Sequence, residues 1–306
     1  MSKDFEILDP SFKDILLPDS KLEKLASPAI WSEGPVWFPE QDMLVFSDVV
    51  GNRMFSWSDK NGLQTFRQPS NYTNGNTLDR EGRLISCEQG RRGVSRTEKD
   101  GTVTMLVDKF DGKRFNSPND VVVKSDGSIW FTDPPYGIIS NDEGYMAMSQ
   151  IMGCWVYRFD PASGEIDVAT VDVQRPNGLC FSPDESIMYV ADMSIHEFPT
   201  LGRRQLTAFD VVDGKRLANG RKLADIAPGL PDGFRVDRAG RIFTSSLDSI
   251  QVVNPDGKII GKIMVPEKIA NCTFGGPNED ILYITATSSL YRIRLATQGV
   301  QYTHLL

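Results

Sequence analysis

The sequence predicts an all-β fold, a six-bladed β-propeller with four-stranded blades around a central channel. Three observations predict it. First, six segments share one form, a short strand, a turn and an apolar strand ending in a small or polar residue: VWFPEQDMLVFSD, TLDREGRLISCE, VVVKSDGSIWFTD, LCFSPDESIMYVAD, FRVDRAGRIFTSS and TFGGPNEDILYITA. Anchored on Leu44, Leu84, Ile129, Met188, Ile242 and Leu282, they recur at intervals of 40, 45, 59, 54 and 40 residues, which is blade spacing. Second, each is followed by another strand with its own turn, such as RMFSWSDKNG, CWVYRFDPASGE or SLYRIRLA, enough for four strands per unit. Third, runs of period 3.6 are nearly absent, and Gly and Pro gather at the turns.

In chain order, DPSFKDILL suggests a helical turn, and KLEKLA at 21–26 is one candidate ring-closing strand. The six units occupy roughly 30–296, and VQYTHLL at 300–306 is the other candidate closure. One of them must pair, because an open ring exposes two sheet edges. The clearest hairpin is SPNDVVVKSDGSIWFTDPPYG, in which Ser125-Asp126-Gly127 turns between Val121–Val123 and Ile129–Phe131. The two longest intervals place insertions at 134–152 and 193–204, read as loops over one face. The expectation is a single domain, 1–306, with 1–30 an N-terminal segment that holds the possible closing strand.

A net charge of −8 argues against nucleic-acid binding and is compatible with a cation site or a neutral substrate. No stretch approaches the roughly 18 apolar residues of a membrane helix, and no secretory signal opens the chain. Cys87, Cys154, Cys180 and Cys272 form no CxxC pair and read as free thiols in or beside apolar runs, so a cytoplasmic location is expected. Trp37, Trp57, Trp130 and Trp155 lie within strands and read as blade packing.

Ten or eleven residues before each anchor stands a carboxylate or carboxamide: Glu33, Asn74, Asn119, Asn177, Asp232 and Asn271, four of them followed by Gly. Equivalent positions on innermost strands face one another around the channel, so the repeat predicts a ring of oxygen-bearing side chains. Asn-Gly and Asp-Gly are also turn formers, and turn chemistry competes as an explanation, though Glu33 fits it poorly. Two carboxylates with amide carbonyls suit a hard divalent cation: Ca2+ is the expected ion, with Mg2+, Mn2+ and Zn2+ as alternatives.

Glu33-Gly34-Pro35-Val36-Trp37, Asn119-Asp120, Arg175-Pro176-Asn177-Gly178-Leu179 and Pro231-Asp232-Gly233 resemble signature segments of the gluconolactonase/regucalcin (senescence marker protein) family, as does NGNTLDREGRLISCEQGRRGVSRTE. The resemblance runs in order over nearly the whole chain. It implies six-bladed propellers with one divalent metal at the channel mouth, ligands at Glu33, Asn177 and Asp232, and Asn119 as a fourth ligand or a substrate contact. Two departures stand out. Gln89 occupies a place where many relatives carry His, and Arg114 is offset from the position of a substrate Arg in regucalcin-like members.

The expected function is therefore metal-dependent hydrolysis of a sugar lactone, an aldonolactone resembling gluconolactone, to the aldonic acid by a monomer or small homo-oligomer. Asp232 is the expected general base, with Glu88, Asp120 and His196 as rivals; the second histidine, His304, falls in the tail. Asn74, Asn119, Asp120, Tyr136 and Asn271 are the expected substrate contacts. The alternatives are a metal-dependent esterase or phosphotriesterase-like propeller hydrolase, a propeller enzyme without metal, and a non-enzymatic interaction propeller. No GxSxG elbow, P-loop or dinucleotide GxGxxG motif is present.

Overall fold

A computed structural model describes residues 4–300. Six antiparallel sheets stand around an axis, each ordered outward from its first strand. The innermost strands are Ser32–Phe38, Thr73–Leu78, Val121–Val123, Pro176–Phe181, Phe234–Val236 and Ile269–Gly275, which we number as blades one to six. Every anchor residue lies on the second strand of its blade. The predicted hairpin pairs Val121 with Phe131 and Val123 with Ile129.

The N-terminal segment closes the ring. Glu23–Ala26 is the outermost strand of blade six, with Glu23 opposite Arg292 and Lys24 opposite Tyr291. Upstream, Phe5–Ile7 adds a fifth strand to blade five. The predicted helical turn is a 3-10 helix, Pro10–Ile15, whose Phe12 and Ile15 are buried beneath blades five and six. Of the rival closure, Val300 donates its N–H to the carbonyl of Val236, and 301–306, including His304, lie outside the described residues.

The core is a circle rather than a centre. Separate buried clusters fill the interfaces between successive blades, for example Trp37, Phe46 and Tyr283 between blades six and one, and Trp130, Phe181 and Phe209 between three and four. A sheet with two apolar faces must bury both, and a closed ring does this without a central plug. Trp37 stacks on Tyr283 at 5.5 Å and Trp130 meets Phe181 edge-on at 5.5 Å, so these indoles are blade packing as expected. Cys87, Cys180 and Cys272 are buried and Cys154 partly so, all as free thiols.

Each first strand starts at the ring position and runs away from it. The connections between second and third strands, and those between blades, therefore gather at the ring end of the channel. Both predicted insertions fall there, one containing the short helix Tyr136–Ile139 and the other the turn Ser194–His196.

Candidate active site at the channel mouth

The six ring residues are all buried, none more than 9% exposed. Their dipeptides are not turns. Four ring residues lie at the ring ends of the innermost strands, where the pairing slips: between Glu33 and Val36, Thr73 and Asn76, Pro176 and Leu179, and Ile269 and Asn271; Asn119 and Asp232 stand just before theirs. A bulge re-aims side chains at a sheet end, and here it coincides with the polar column. The competing turn explanation is thereby corrected: the glycines serve close approach between blades. A Cβ on Gly34, whose φ is +47°, would lie 2.0 Å from the carbonyl oxygen of Asn74, and one on Gly233 would lie 1.9 Å from Cγ of Asn271.

Hydrogen bonds join neighbouring blades at this level all the way round. Asn76 Nδ2 donates to the Gly34 carbonyl (2.9 Å) and Asn271 Nδ2 to Glu33 Oε2 (3.3 Å). Gly75 N donates to Asn119 O (2.7 Å), Gly178 N to Asp232 O (3.1 Å) and Gly233 N to Ala270 O (2.7 Å). Thr132 Oγ1 donates to Asn177 O (2.7 Å). The ring is thus a rigid frame, and its side chains divide by what they already hold. The Asn271 carboxamide is engaged by Glu33 and by the N–H of Cys272, so it orients Glu33 instead of standing open to a substrate. The carboxamides of Asn74 and Asn119 have no protein partner among the described residues.

Burial, then the charge of Asp232, holds Glu33 well above the usual carboxylate range. Burial raises Asp232 to about 7; Lys268 opposes the rise, Glu143 and Asp120 reinforce it, and the Asn177 carboxamide eases it. Two buried carboxylates that resist joint ionisation, with carboxamide oxygens beside them, form a donor set that a hard divalent cation would relieve. Among the described residues no three His, Cys, Asp or Glu side chains converge as a metal cluster, so any ion here depends on the carboxamides to complete its shell.

One step down the channel, Arg235 Nη1 stands 3.6 Å from Asp120 Oδ2, which also accepts from the N–H of Leu179 (3.3 Å). Asp120 Oδ1 is buried without a partner among the described residues. Glu88 is engaged within its own blade: its Oε1 accepts from Ser95 Oγ (2.5 Å) and its Oε2 from Arg91 Nη1 (3.4 Å), so both oxygens of this rival base already hold a donor. His196 is exposed on its turn, beside Glu197, which accepts two hydrogen bonds of 2.7 Å from Arg175. Arg114 turns to the carbonyl of Arg91 and is not part of the ring.

The 134–152 loop supplies what the repeat could not predict. Tyr145 packs edge-on against Tyr72 of the neighbouring blade at 5.3 Å. Glu143 comes within electrostatic reach of Asp232 and of Lys268, which rests over the Trp31 ring at 4.9 Å. The Tyr136 hydroxyl is buried without a partner among the described residues; burial and the Asp232 charge push its pKa up. Interval length signalled an insertion, but nothing local marks Glu143 or Lys268 as facing the ring.

The fold and the site together define a six-bladed propeller with an oxygen-lined centre at one channel mouth. The chain belongs to the family described as SMP-30/Gluconolactonase/LRE-like, which it matches over residues 31–288. It is 32% identical over 309 aligned residues to the gluconolactonase of Zymomonas mobilis, covering 95% of this chain and 85% of that protein. It is 29% identical to the pentonolactonase XacC of Haloferax volcanii, covering 83% of this chain and 80% of that one. The structure of XC5397 from Xanthomonas campestris, a gluconolactonase, superposes with a TM-score of 0.89 at 38% identity, covering 96% of this chain and 95% of that one.

Proposed function

We propose that this protein opens an aldonolactone such as glucono-1,5-lactone to its aldonic acid, with a divalent cation, Ca2+ first among candidates, held at the ring. That it is a lactonase rests on its family and on lactonase relatives matched over most of both chains. The observation that carries the mechanism is the convergence of Glu33 and Asp232 with the Asn177 carboxamide at one rigid rim.

Glu33, Asn177 and Asp232 would hold the ion, with Asn119 as a fourth oxygen or a substrate contact. When bound, such an ion polarises a carbonyl and acidifies water. The chain's own groups supply the rest. Asp232, whose carboxyl burial raises towards neutrality, takes a proton from the water that adds to the lactone carbonyl. As the carbon–oxygen bond of the ring breaks, the same carboxyl returns a proton to the departing ring oxygen, leaving a hydroxyl and a carboxylic acid. Asn74, Asn119, Asp120 and Tyr136 offer carboxamide, carboxylate and phenol groups to the sugar hydroxyls. Asn271 keeps Glu33 in place.

The test is turnover of a panel of aldonolactones, above the uncatalysed rate, before and after chelation and after metal is restored. Loss on chelation with recovery on add-back is expected. Undiminished turnover after exhaustive chelation would overturn the metal part, and no turnover of any lactone by metal-loaded protein would overturn the substrate part.

A further inference from the structure

Gln89 is fully buried, and both its Nε2 and its Oε1 lack a hydrogen-bond partner among the described residues. A buried carboxamide with neither end satisfied costs free energy unless a missing partner arrives. Its position narrows what that partner is. Gln89 stands one residue beyond the Thr73–Glu88 pair that brackets ring residue Asn74, and its N–H is tied to the Tyr72 carbonyl at 3.1 Å. Across the gap between blades two and three it lies against Ser117, two residues before Asn119, and against the Tyr136–Gly137 turn. A Cβ on Gly137 would be 2.6 Å from Gln89 Cβ, 2.9 Å from Ser117 Cβ and 3.0 Å from Gln89 Oε1. Tyr136, the residue before that glycine, carries a buried hydroxyl that likewise has no partner among the described residues. Ser117 is not available to satisfy Gln89, because its Oγ donates to Pro134 O (2.6 Å) and accepts from Gly137 N (2.9 Å).

We infer that Gln89 is a specificity-determining residue, whose carboxamide, together with the Tyr136 hydroxyl, binds a ring hydroxyl of a polyhydroxylated lactone. The inference rests on the lactonase reading and deepens it. A carboxamide donates and accepts at once, which matches a hydroxyl that does the same. Because the Gln89 side chain forms no hydrogen bond among the described residues, replacing it removes none there, and its effect falls on the substrate.

The experiment measures kcat/KM on glucono-1,5-lactone and its 2-, 3- and 4-deoxy analogues for wild type, Gln89→Met and Gln89→Glu, with thermal unfolding of each. Wild-type turnover of the parent lactone is the first readout; its absence defeats the lactonase reading and this inference with it. The expected result is discrimination of roughly 10- to 100-fold against one deoxy position in wild type. In Gln89→Met that discrimination collapses to near unity while the other positions are unaffected, with unfolding no earlier than wild type. Gln89→Glu, which keeps an acceptor oxygen, should restore part of it, and it carries the test if the Met variant does not fold. Equal losses on all four lactones would make Gln89 structural, and no loss on any would leave its carboxamide to a buried water; either overturns the inference.

Discussion

At the scale of single residues, the site joins a backbone frame fixed by hydrogen bonds between blades to carboxylates whose burial sets their protonation. Asp232 is the sharpest case. Asp232→Asn keeps the shape and one carbonyl-type ligand but loses the charge and the basic oxygen. If Asp232 is only a ligand, saturating metal should restore the rate; as a general base its loss should leave kcat about 10²- to 10⁴-fold down with the site full. We expect the second outcome, read from kcat against metal concentration, with Asn177→Asp as a control that adds charge without a base. By contrast, His196→Gln should keep kcat within about tenfold, since His196 is exposed on its turn; a loss of several decades with metal bound would transfer the base role to it. Gly233→Ala tests the frame. Its Cβ would collide with Asn271, which orients Glu33, so unfolding should come earlier by about 1–3 kcal/mol and activity should fall with it.

Among elements, the strand Glu23–Ala26 holds the ring shut, and Glu267 is its clasp. The Glu267 carboxylate accepts from Ser289 Oγ (2.5 Å), Tyr291 OH (2.7 Å), Lys24 Nζ (3.0 Å) and Ser288 N (3.1 Å). Although burial works against the charge, these donors together lower its pKa from 4.5 to about 2. A carboxyl with a depressed folded-state pKa contributes stability that is full above its unfolded value and fades as pH falls through the folded one. Glu267→Gln should therefore unfold a few degrees below wild type at neutral pH, about 1–2 kcal/mol after allowance for its partial exposure. The gap should narrow from about pH 4.5 towards pH 2; a gap constant across that window, measured by thermal melts, would contradict this account. How little of this was legible beforehand follows from its chemistry. KLEKLA and VQYTHLL are equally short and equally strand-like, and only the partners offered by Glu267 and Arg292 on blade six distinguish one from the other.

For the whole molecule, a ring with cooperative interfaces links the site to global stability. An ion that binds the assembled ring, and not the unfolded chain, stabilises by RT ln(1 + [L]/Kd), about 2.7 kcal/mol at a hundredfold excess over Kd. Thermal unfolding should accordingly shift upward with Ca2+ concentration and return on chelation, and Asp232→Asn should blunt the shift. An unfolding midpoint indifferent to divalent ions would count against a cation at the ring.

The repeat was readable because each blade meets the same demand, an inner strand between two apolar faces, so apolar anchors and turns recur at one spacing. The polar column was readable for the same reason: equivalent positions share one place on the axis, and Glu33, Asn119, Asn177 and Asp232 stand where the spacing put them. Tertiary structure alone decided which column members remain open, since Asn271 is engaged by Glu33 while Asn74 and Asn119 are not, and that depends on bulges and on contacts between blades. It also brought Glu143, Lys268 and Gln89 to the mouth. Glu143 lies in an insertion, and insertions obey no period; Gln89 and Lys268 flank blade strands, and what each faces is set by packing against a neighbouring blade or loop, which the repeat does not record.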